Sequence, residues 1–449
     1  MTELLGKRAV VAGAGIGGLA AAGALADYFE RVIVLERDAI PSNAAYRAGT
    51  PQARHVHALL GGGQRALEIL FPGFTAALGK AGAVRLKSGL DVRLEVPGYD
   101  PFPQRDLGWD VYSMSRPLVE YVVRQQLAKR ANIELRARCR VDAIMTTANG
   151  ATVSAVRLAG HNGEGETLPA DFVVDASSRG ALTLAVLQST NGPLPAESKI
   201  GVDISYATNI FSVPENAPRD WKGVFTFPNA PESGRGALMM PIEGDCWMLT
   251  LAGRHGDTPP GDFSSFLAFA GQARTQTIHN AIKRAKPLAE VVRFVFPESI
   301  RRHFERMDSF PRGLVPLGDA VCRFNPVYGQ GMSVAAQQAC VLRDILAARA
   351  AAHDPFVMLA QTFFAAIQEV IHTPWTTAAV ADFVYPETRG ERPPDIENTL
   401  KFGLVLNRLA ARDADVHKLM FEVRHLLKPQ SVYRDPAFVE RVRAAMAET

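Results

Sequence analysis

A chain of 449 residues is longer than one compact hydrophobic core accommodates, so two or three structural units are expected. Hydrophobic residues at 47% and charged residues at 21% exclude a disordered, collagen-like or coiled-coil chain. The 49 Lys and Arg against 46 Asp and Glu leave a net charge of +3 with no basic run, which argues against a nucleic-acid partner.

Cys139, Cys246, Cys322 and Cys340 stand far apart without a CxxC pair, a usage suited to reduced thiols in a cytoplasm and not to a disulfide framework or a metal site. Lys7-Arg8 followed by the apolar run 9–26 has the outline of a secretory signal. Its many glycines, and the strand-like stretch 31–36 directly behind it, favour a folded βαβ unit and a cytoplasmic protein. No apolar stretch reaches transmembrane length.

In chain order, 7–12 reads as a buried parallel strand, 17–28 as an Ala-rich helix and 31–36 as the next strand. An irregular stretch from Arg37 to His57 precedes a short helix over 62–71. Ser115 is placed to cap a helix over 116–131 whose first turn holds Pro117. Asn149-Gly150 marks a hairpin, and 171–175 is a strand returning to the first sheet. From 196 the pattern changes to antiparallel, aromatic-bearing strands, with helical segments through 262–286. The stretch 312–319 is a further buried strand, 329–349 an Ala/Gln-rich helix, and the remainder is helical with breaks at Pro374, Pro386 and Pro393-Pro394.

Gly13-Ala-Gly15-Ile-Gly17-Gly18 lies between strand and helix and satisfies GxGxxG, with Glu36 eighteen residues beyond. Gly13 permits the tight turn, Gly15 lets backbone approach a pyrophosphate at the helix N-terminus, Gly18 allows close helix–strand packing, and Glu36 can accept from ribose hydroxyls. By itself this specifies a dinucleotide.

Leu317-Gly318-Asp319-Ala320 ends a strand, and Asn325-Pro326-Val327-Tyr328-Gly329-Gln330-Gly331-Met332 runs into the helix that follows. With these residues the chain resembles the FAD-dependent monooxygenases of the para-hydroxybenzoate hydroxylase fold. The resemblance implies that Asp319 holds the ribityl and pyrophosphate side of FAD and that Gly329, Gly331 and Met332 direct a helix N-terminus at the flavin pyrimidine edge. It also implies FAD contacts from Arg37, Val141, Gly318 and Pro326. The rival account of Asp319, the weaker of the two, is a simple turn or N-cap aspartate.

The string Val174-Asp175-Ala176-Ser177-Ser178-Arg179-Gly180 departs from the Asp-Gly pair of most single-component hydroxylases and is similar to strings in related flavin epoxidases, reductases and halogenases. Asp175 is either a cofactor contact or a strand-end cap. The departure puts direct reduction by NAD(P)H in doubt and leaves room for a separate flavin reductase. The stretches 51–60 and 115–120, with the region of Thr373-Pro374-Trp375, resemble a bacterial subgroup that includes the flavin epoxidases of polyether biosynthesis. That likeness implies FAD contacts from Arg47, Gln52 and Arg116, although Arg47 and Arg54 also read as solvated loop charges. His55 and His57 should point to opposite sides of an extended segment, which disfavours a metal pair.

GxSxG and Walker A strings are absent, and Trp109, Trp221, Trp247 and Trp375 are isolated where tryptophan halogenases carry WxWxIP. No side chain stands out as a catalytic acid or base. The sequence therefore predicts an α/β protein: a discontinuous Rossmann-like FAD-binding domain (1–195 and 287–350), a β-sheet substrate domain (196–286, with residues near 75–110 as candidates to join it) and a helical C-terminal region (351–449).

The expected activity is monooxygenation by a flavin C4a-hydroperoxide, with O2 as co-substrate and NAD(P)H as direct or indirect electron donor. Phe211, Phe225, Phe227, Leu238, Met240, Trp247 and Leu249 are the candidate substrate wall, apolar and without a base, which favours alkene epoxidation. Aromatic hydroxylation is the alternative within the same mechanism. An oxygen-independent FAD reductase or dehydrogenase and a non-catalytic dinucleotide sensor are rivals of other classes.

Overall fold

The computed structural model describes residues 4–160, 165–190 and 192–447. The βαβ unit forms as its pattern dictates: strand Gly6–Ala12, helix Ile16–Leu25, strand Phe29–Leu35. Val10, Val11, Val32 and Val34 are wholly buried, because both faces of this sheet are covered. The sheet is parallel and five-stranded, in the order Leu314–Pro316, Phe172–Asp175, Gly6–Ala12, Phe29–Leu35, Ile133–Arg136. One face packs on the helices Ile16–Leu25, Arg116–Leu127 and Gly331–Ala348. The other is covered by a small antiparallel sheet, Val141–Thr146, Val153–Leu158 and Thr167–Pro169, which contains the expected hairpin.

The second sheet has eight strands. Its path runs Cys322–Arg323, Val292–Arg302, Glu197–Ser212, Cys246–Arg254, Gly236–Ile242, Gly223–Thr226, Val92–Glu95, and Arg389–Gly390 adds to the side of Glu197–Ser212. Val92–Glu95 therefore joins this sheet from within the early part of the chain. The strand Val292–Arg302, grouped with the FAD-binding segments in the sequence reading, pairs instead with Glu197–Ser212 along nearly its whole length. A run of 16 strand residues at 197–212 exposes two long edges, and Cys246–Arg254 occupies only one of them.

The helical stretch expected over 262–286 divides into Phe263–Gly271 and Thr277–Ile282, which cover one face of the eight-stranded sheet. The C-terminal helices Ile396–Arg412, Ala414–Arg424 and Pro436–Ala447 pack on Phe102, Leu107 and Trp109. Pro374 does not break its helix. Gln368–Asp382 runs through it, and the interruption falls at Ile367. Burial of Ile371, Thr373, Pro374 and Ala378 offsets the backbone hydrogen bond that proline cannot donate. No helix among the described residues is long and apolar enough to cross a membrane.

Candidate functional site

The glycines of the first motif divide by what a side chain would meet. Gly13 has φ +102°, and a Cβ there would lie 2.7 Å from the Ala176 carbonyl oxygen. A Cβ on Gly18 would lie 1.9 Å from the Gly13 carbonyl oxygen, so these two are required by the protein's own packing. Gly17 is tight against Leu317 at 3.2 Å. Gly15 differs: a Cβ would have one neighbour, Arg116 Nη2 at 3.9 Å. Packing does not demand glycine there, whereas close approach of a ligand to the backbone does. Gly15 is also the N-cap of helix Ile16–Leu25 and supplies no side-chain cap, leaving the first-turn N–H groups available for an anion.

Glu36 ends the second strand, buried, where its carboxylate accepts from Ala14 N–H at 2.9 Å and from Asp38 N–H at 3.1 Å. Arg47 reaches into the same place from the irregular loop. Its guanidinium contacts Glu36 at 2.8 Å, Glu120 at 3.1 Å and Asp38 at 3.5 Å, with its side chain 7% exposed. Burial alone would lower the Arg47 pKa, but the Glu120 and Glu36 carboxylates more than compensate and raise it. Arg116 binds the other Glu120 oxygen at 2.9 Å, one turn along its helix. Burial pushes Glu120 up, while Arg116 and Arg47 together bring it below its ordinary value. Arg47 is thus a buried clamp and not a solvated loop charge; Arg54, exposed, stacks over Tyr46.

The second motif supplies the opposite wall. Asp319 follows strand Leu314–Pro316 in a short turn, and a Cβ on Gly331 would lie 3.8 Å from Asp319 Oδ1. The carboxylate faces the first turn of helix Gly331–Ala348, whose N-cap Gln330 makes no side-chain cap bond. Asp319 receives no hydrogen bond from any described residue, and desolvation raises its pKa, partly opposed by Arg116 and Arg323. Gly318 is held by its N–H to Gln338 Oε1 at 2.7 Å, and Gly329 takes a left-handed conformation (φ +66°) ahead of the helix, which begins at Gly331 and not at Gly329. Pro326 opens the single turn before it, and Met332 is buried in the helix's first turn.

Asp175 is a correction. It is fully buried and accepts from Ser177 N–H and Oγ on one oxygen and from Thr183 N–H (2.9 Å) and Oγ1 (2.8 Å) on the other. Its lone pairs are committed to holding the Ser177–Gly180 turn, so it is the strand-end cap. Arg37 points away, with its side chain 65% exposed. Gln52 is half-buried and its side chain makes no hydrogen bond to a described residue. Val141 begins the small antiparallel sheet, two residues beyond Cys139, whose N–H donates to the Glu36 carbonyl.

The candidate substrate wall splits by strand parity. Phe211 pairs with Trp247, and Met239 with Leu249, on the face packed against helices Phe263–Gly271 and Thr277–Ile282. Phe211, Trp247 and Leu249 are therefore core, away from the motif loops. Phe225, Leu238 and Met240 lie on the opposite face, half-buried, and Phe227 stacks on Phe225 at 3.9 Å between ring centroids.

That second face also carries His55, one of the two histidines expected to point to opposite sides, and two threonines absent from the sequence reading. His55 Nδ1 is 2.7 Å from Thr208 Oγ1, Thr208 is 2.6 Å from Thr250, and Thr250 Oγ1 accepts from Val56 N–H. His57 turns the other way, its Nε2 accepting from Arg116 at 3.3 Å and its Nδ1 donating to the His55 carbonyl. Burial pulls His55 down to about 4; burial and then Arg116 pull His57 to about 3, so both imidazoles are neutral near pH 7.

Further along this face Arg254 meets Asp382 of the C-terminal helix at 2.7 Å, and Asn325 and Tyr328 of the second motif bond to the same carboxylate oxygen. No signal short of the fold joins these four, since they lie on three separate segments.

The residues present fit FAD. Gly15 leaves an open approach at an uncapped helix start, Asp319 is a desolvated carboxylate without a donor among the described residues, and Glu36 is a buried carboxylate at the end of the second strand beside that helix start. Fold and site together define an FAD-binding protein with the para-hydroxybenzoate hydroxylase fold. The chain belongs to the FAD-binding domain family, which it matches over residues 7–354.

Protein Rv3254 of Mycobacterium tuberculosis is 31% identical over 393 residues, 86% of this chain and 82% of its own. Among solved structures, a flavoprotein/dehydrogenase from Cytophaga hutchinsonii superposes with a TM-score of 0.69 at 14% identity, covering 99% of this chain and 100% of its own. The flavin-dependent brominase Bmp2 gives 0.68 at 14% identity over 99% and 98%. The p-nitrophenol 4-monooxygenase PnpA from Pseudomonas putida gives 0.63 at 18% over 94% and 99%. At these identities the likeness concerns the fold, which hosts several chemistries.

Proposed function

We propose that this protein inserts one oxygen atom of O2 into an apolar organic substrate, with alkene epoxidation the favoured reaction. The observation that carries this reading is the half-buried face of Phe225, Phe227, Leu238 and Met240, apolar and without a carboxylate among them. Bound FAD supplies a two-electron carrier that activates oxygen when reduced. The balance is alkene plus O2, two electrons and two protons giving epoxide and water.

The protein's residues bind and exclude water. Gly13, Gly15, Gly18, Glu36, Arg47 and Arg116 hold the adenosine and pyrophosphate end, Asp319 the ribityl end, and Gly329, Gly331 and Met332 the ring edge. The apolar face places the substrate and keeps solvent from the reacting atoms.

Aromatic hydroxylation fits the same family and fold, and His55 and Tyr206 are the groups that favour it as a second reading. A phenol is activated by a base, however, and burial lowers His55 to about 4, which makes it a weak base toward a phenol. An alkene needs no such base. The electron donor follows from Asp175: with its oxygens committed to Ser177 and Thr183 it is not free to serve a nicotinamide, which supports a separate flavin reductase fed by NAD(P)H. The test is product analysis of matched apolar alkenes and phenols in single turnover of the chemically reduced protein. Conversion of phenols alone would overturn epoxidation.

A further inference from the structure

Two polar atoms on the sheet face beside the second motif are buried without a partner. Asp382 is wholly buried, and its Oδ1 accepts from Arg254 Nη1 at 2.7 Å, Tyr328 OH at 2.7 Å and Asn325 Nδ2 at 2.9 Å. Its Oδ2, equally buried, accepts from no described residue. The Tyr206 hydroxyl is buried and likewise bonded to no described residue.

Their residues share one neighbourhood, close enough for the charges of Arg254 and Asp382 both to act on the Tyr206 hydroxyl. Tyr206 pairs with Ala252 and Ile204 with Arg254, so Tyr206 and Arg254 are diagonal on one face. The Tyr206 ring packs in the same apolar cluster as Ala379 and Phe383, which flank Asp382 along its helix. A buried acceptor and a buried donor left without partners each carry an uncompensated desolvation penalty. One group satisfies both at once: a hydroxyl, which accepts from Tyr206 and donates to Asp382.

We propose that Asp382 and Tyr206 form a subsite for one alcohol oxygen of the substrate, beside the Pro326–Tyr328 turn; this rests on the apolar-substrate reading above and narrows it to apolar molecules bearing a neutral hydroxyl. Arg254 already neutralises Asp382, so an ammonium would add an uncompensated charge. A carboxylate would meet the unpaired Oδ2. Water has the same chemistry as the alcohol and is the competing occupant.

The experiment titrates FAD-loaded full-length protein with 9-decen-1-ol and with 1-decene, following the perturbation of the flavin absorption bands. The alcohol is expected to bind at least about tenfold more tightly, because a site built for a hydroxyl is left with unpaired groups by an analogue lacking it. In Tyr206→Phe, which removes one oxygen and keeps the ring, that advantage should fall below about threefold, with thermal melting of the FAD-loaded variant reporting its fold. Asp382→Asn should lower it likewise. Equal affinity for both ligands in the wild type, or an undiminished advantage in folded Tyr206→Phe, overturns the subsite while the apolar chamber stands. Failure of both ligands to perturb the flavin overturns the chamber and the subsite with it. A crystal structure of the alcohol complex separates the sources: the ligand oxygen between Tyr206 and Asp382 supports the proposal, and a water there with the ligand elsewhere refutes it.

Discussion

Replacing Asp319 by alanine tests the cofactor assignment, because the apoprotein and the FAD complex should respond in opposite senses. In the protein alone the carboxylate is desolvated and receives no hydrogen bond from any described residue, so its removal should leave thermal stability unchanged or raise it. In the complex, on the proposed assignment, it accepts from cofactor hydroxyls. A hydrogen bond to a charged group contributes about 1.5–3 kcal/mol, which at about 1.4 kcal/mol per decade weakens FAD by roughly ten- to a hundredfold. The assay is titration of apoprotein with FAD by fluorescence quenching, alongside melting of both forms.

The pH dependence adds a second readout on the same residue. Burial raises the folded-state pKa of Asp319 above its unfolded value, so its contribution to apoprotein stability is full below the unfolded pKa and is lost as pH rises through the folded one. FAD binding selects the ionised form and has the opposite sign: affinity should strengthen as pH rises through the raised value, and Asp319→Asn should flatten that slope. A folded Asp319→Ala protein with undiminished FAD affinity would refute the assignment.

What was legible in the chain follows from where the information lies. The GxGxxG turn is largely local: Gly18 is imposed by contact with Gly13 inside one βαβ unit and Gly13 by its left-handed φ, although the backbone that crowds Gly13, at Ala176, comes from a distant segment. Asp319 and Gly331 were singled out by resemblance, and the short segment from Gly318 to Gly331 brings them within reach of each other. Asp175 was ambiguous, but its resolution was local too: Ser177 two residues on and Thr183 at the following helix are the partners of an Asx-type turn. The substrate wall was not legible. Alternation separates Leu238 and Met240 from Met239, yet which set faces the motif loops depends on where helices Phe263–Gly271 and Thr277–Ile282 dock, and no residue within the strand encodes that. Arg254, Asp382 and Tyr206 lie beyond local reading altogether, brought together only by the fold.

The remaining predictions test other parts of this account. Gly15→Val should fold with near wild-type stability yet purify colourless, because its side chain enters the space reserved for the pyrophosphate, whereas Gly18→Val should fail to accumulate as folded protein; expression yield and flavin absorbance separate the two. Arg47→Met leaves Glu36 without its buried counter-charge and Glu120 with Arg116 alone, and should destabilise the protein by about 3–5 kcal/mol in urea denaturation. NADPH alone should reduce bound FAD slowly in a stopped-flow trace, with an added flavin reductase restoring turnover; fast direct reduction would assign the nicotinamide contact to a surface other than Asp175.

The strand parity gives the last test. Leu249 is fully buried among Phe211, Trp247, Phe266 and Ile282, so Leu249→Ala should cost about 2–5 kcal/mol of stability and leave selectivity among bound substrates unchanged. Leu238 and Met240 project from the adjacent strand to the half-buried face. Leu238→Ala or Met240→Ala should therefore cost little stability and alter relative kcat/KM among apolar substrates by about 10–200-fold, the discrimination expected of a hydrophobic pocket. Melting curves and competition between two alkenes measure both quantities on the same preparations. The reverse pattern, selectivity moving with Leu249 and stability with Leu238, would place the substrate on the helix-covered side and refute the chamber assigned here.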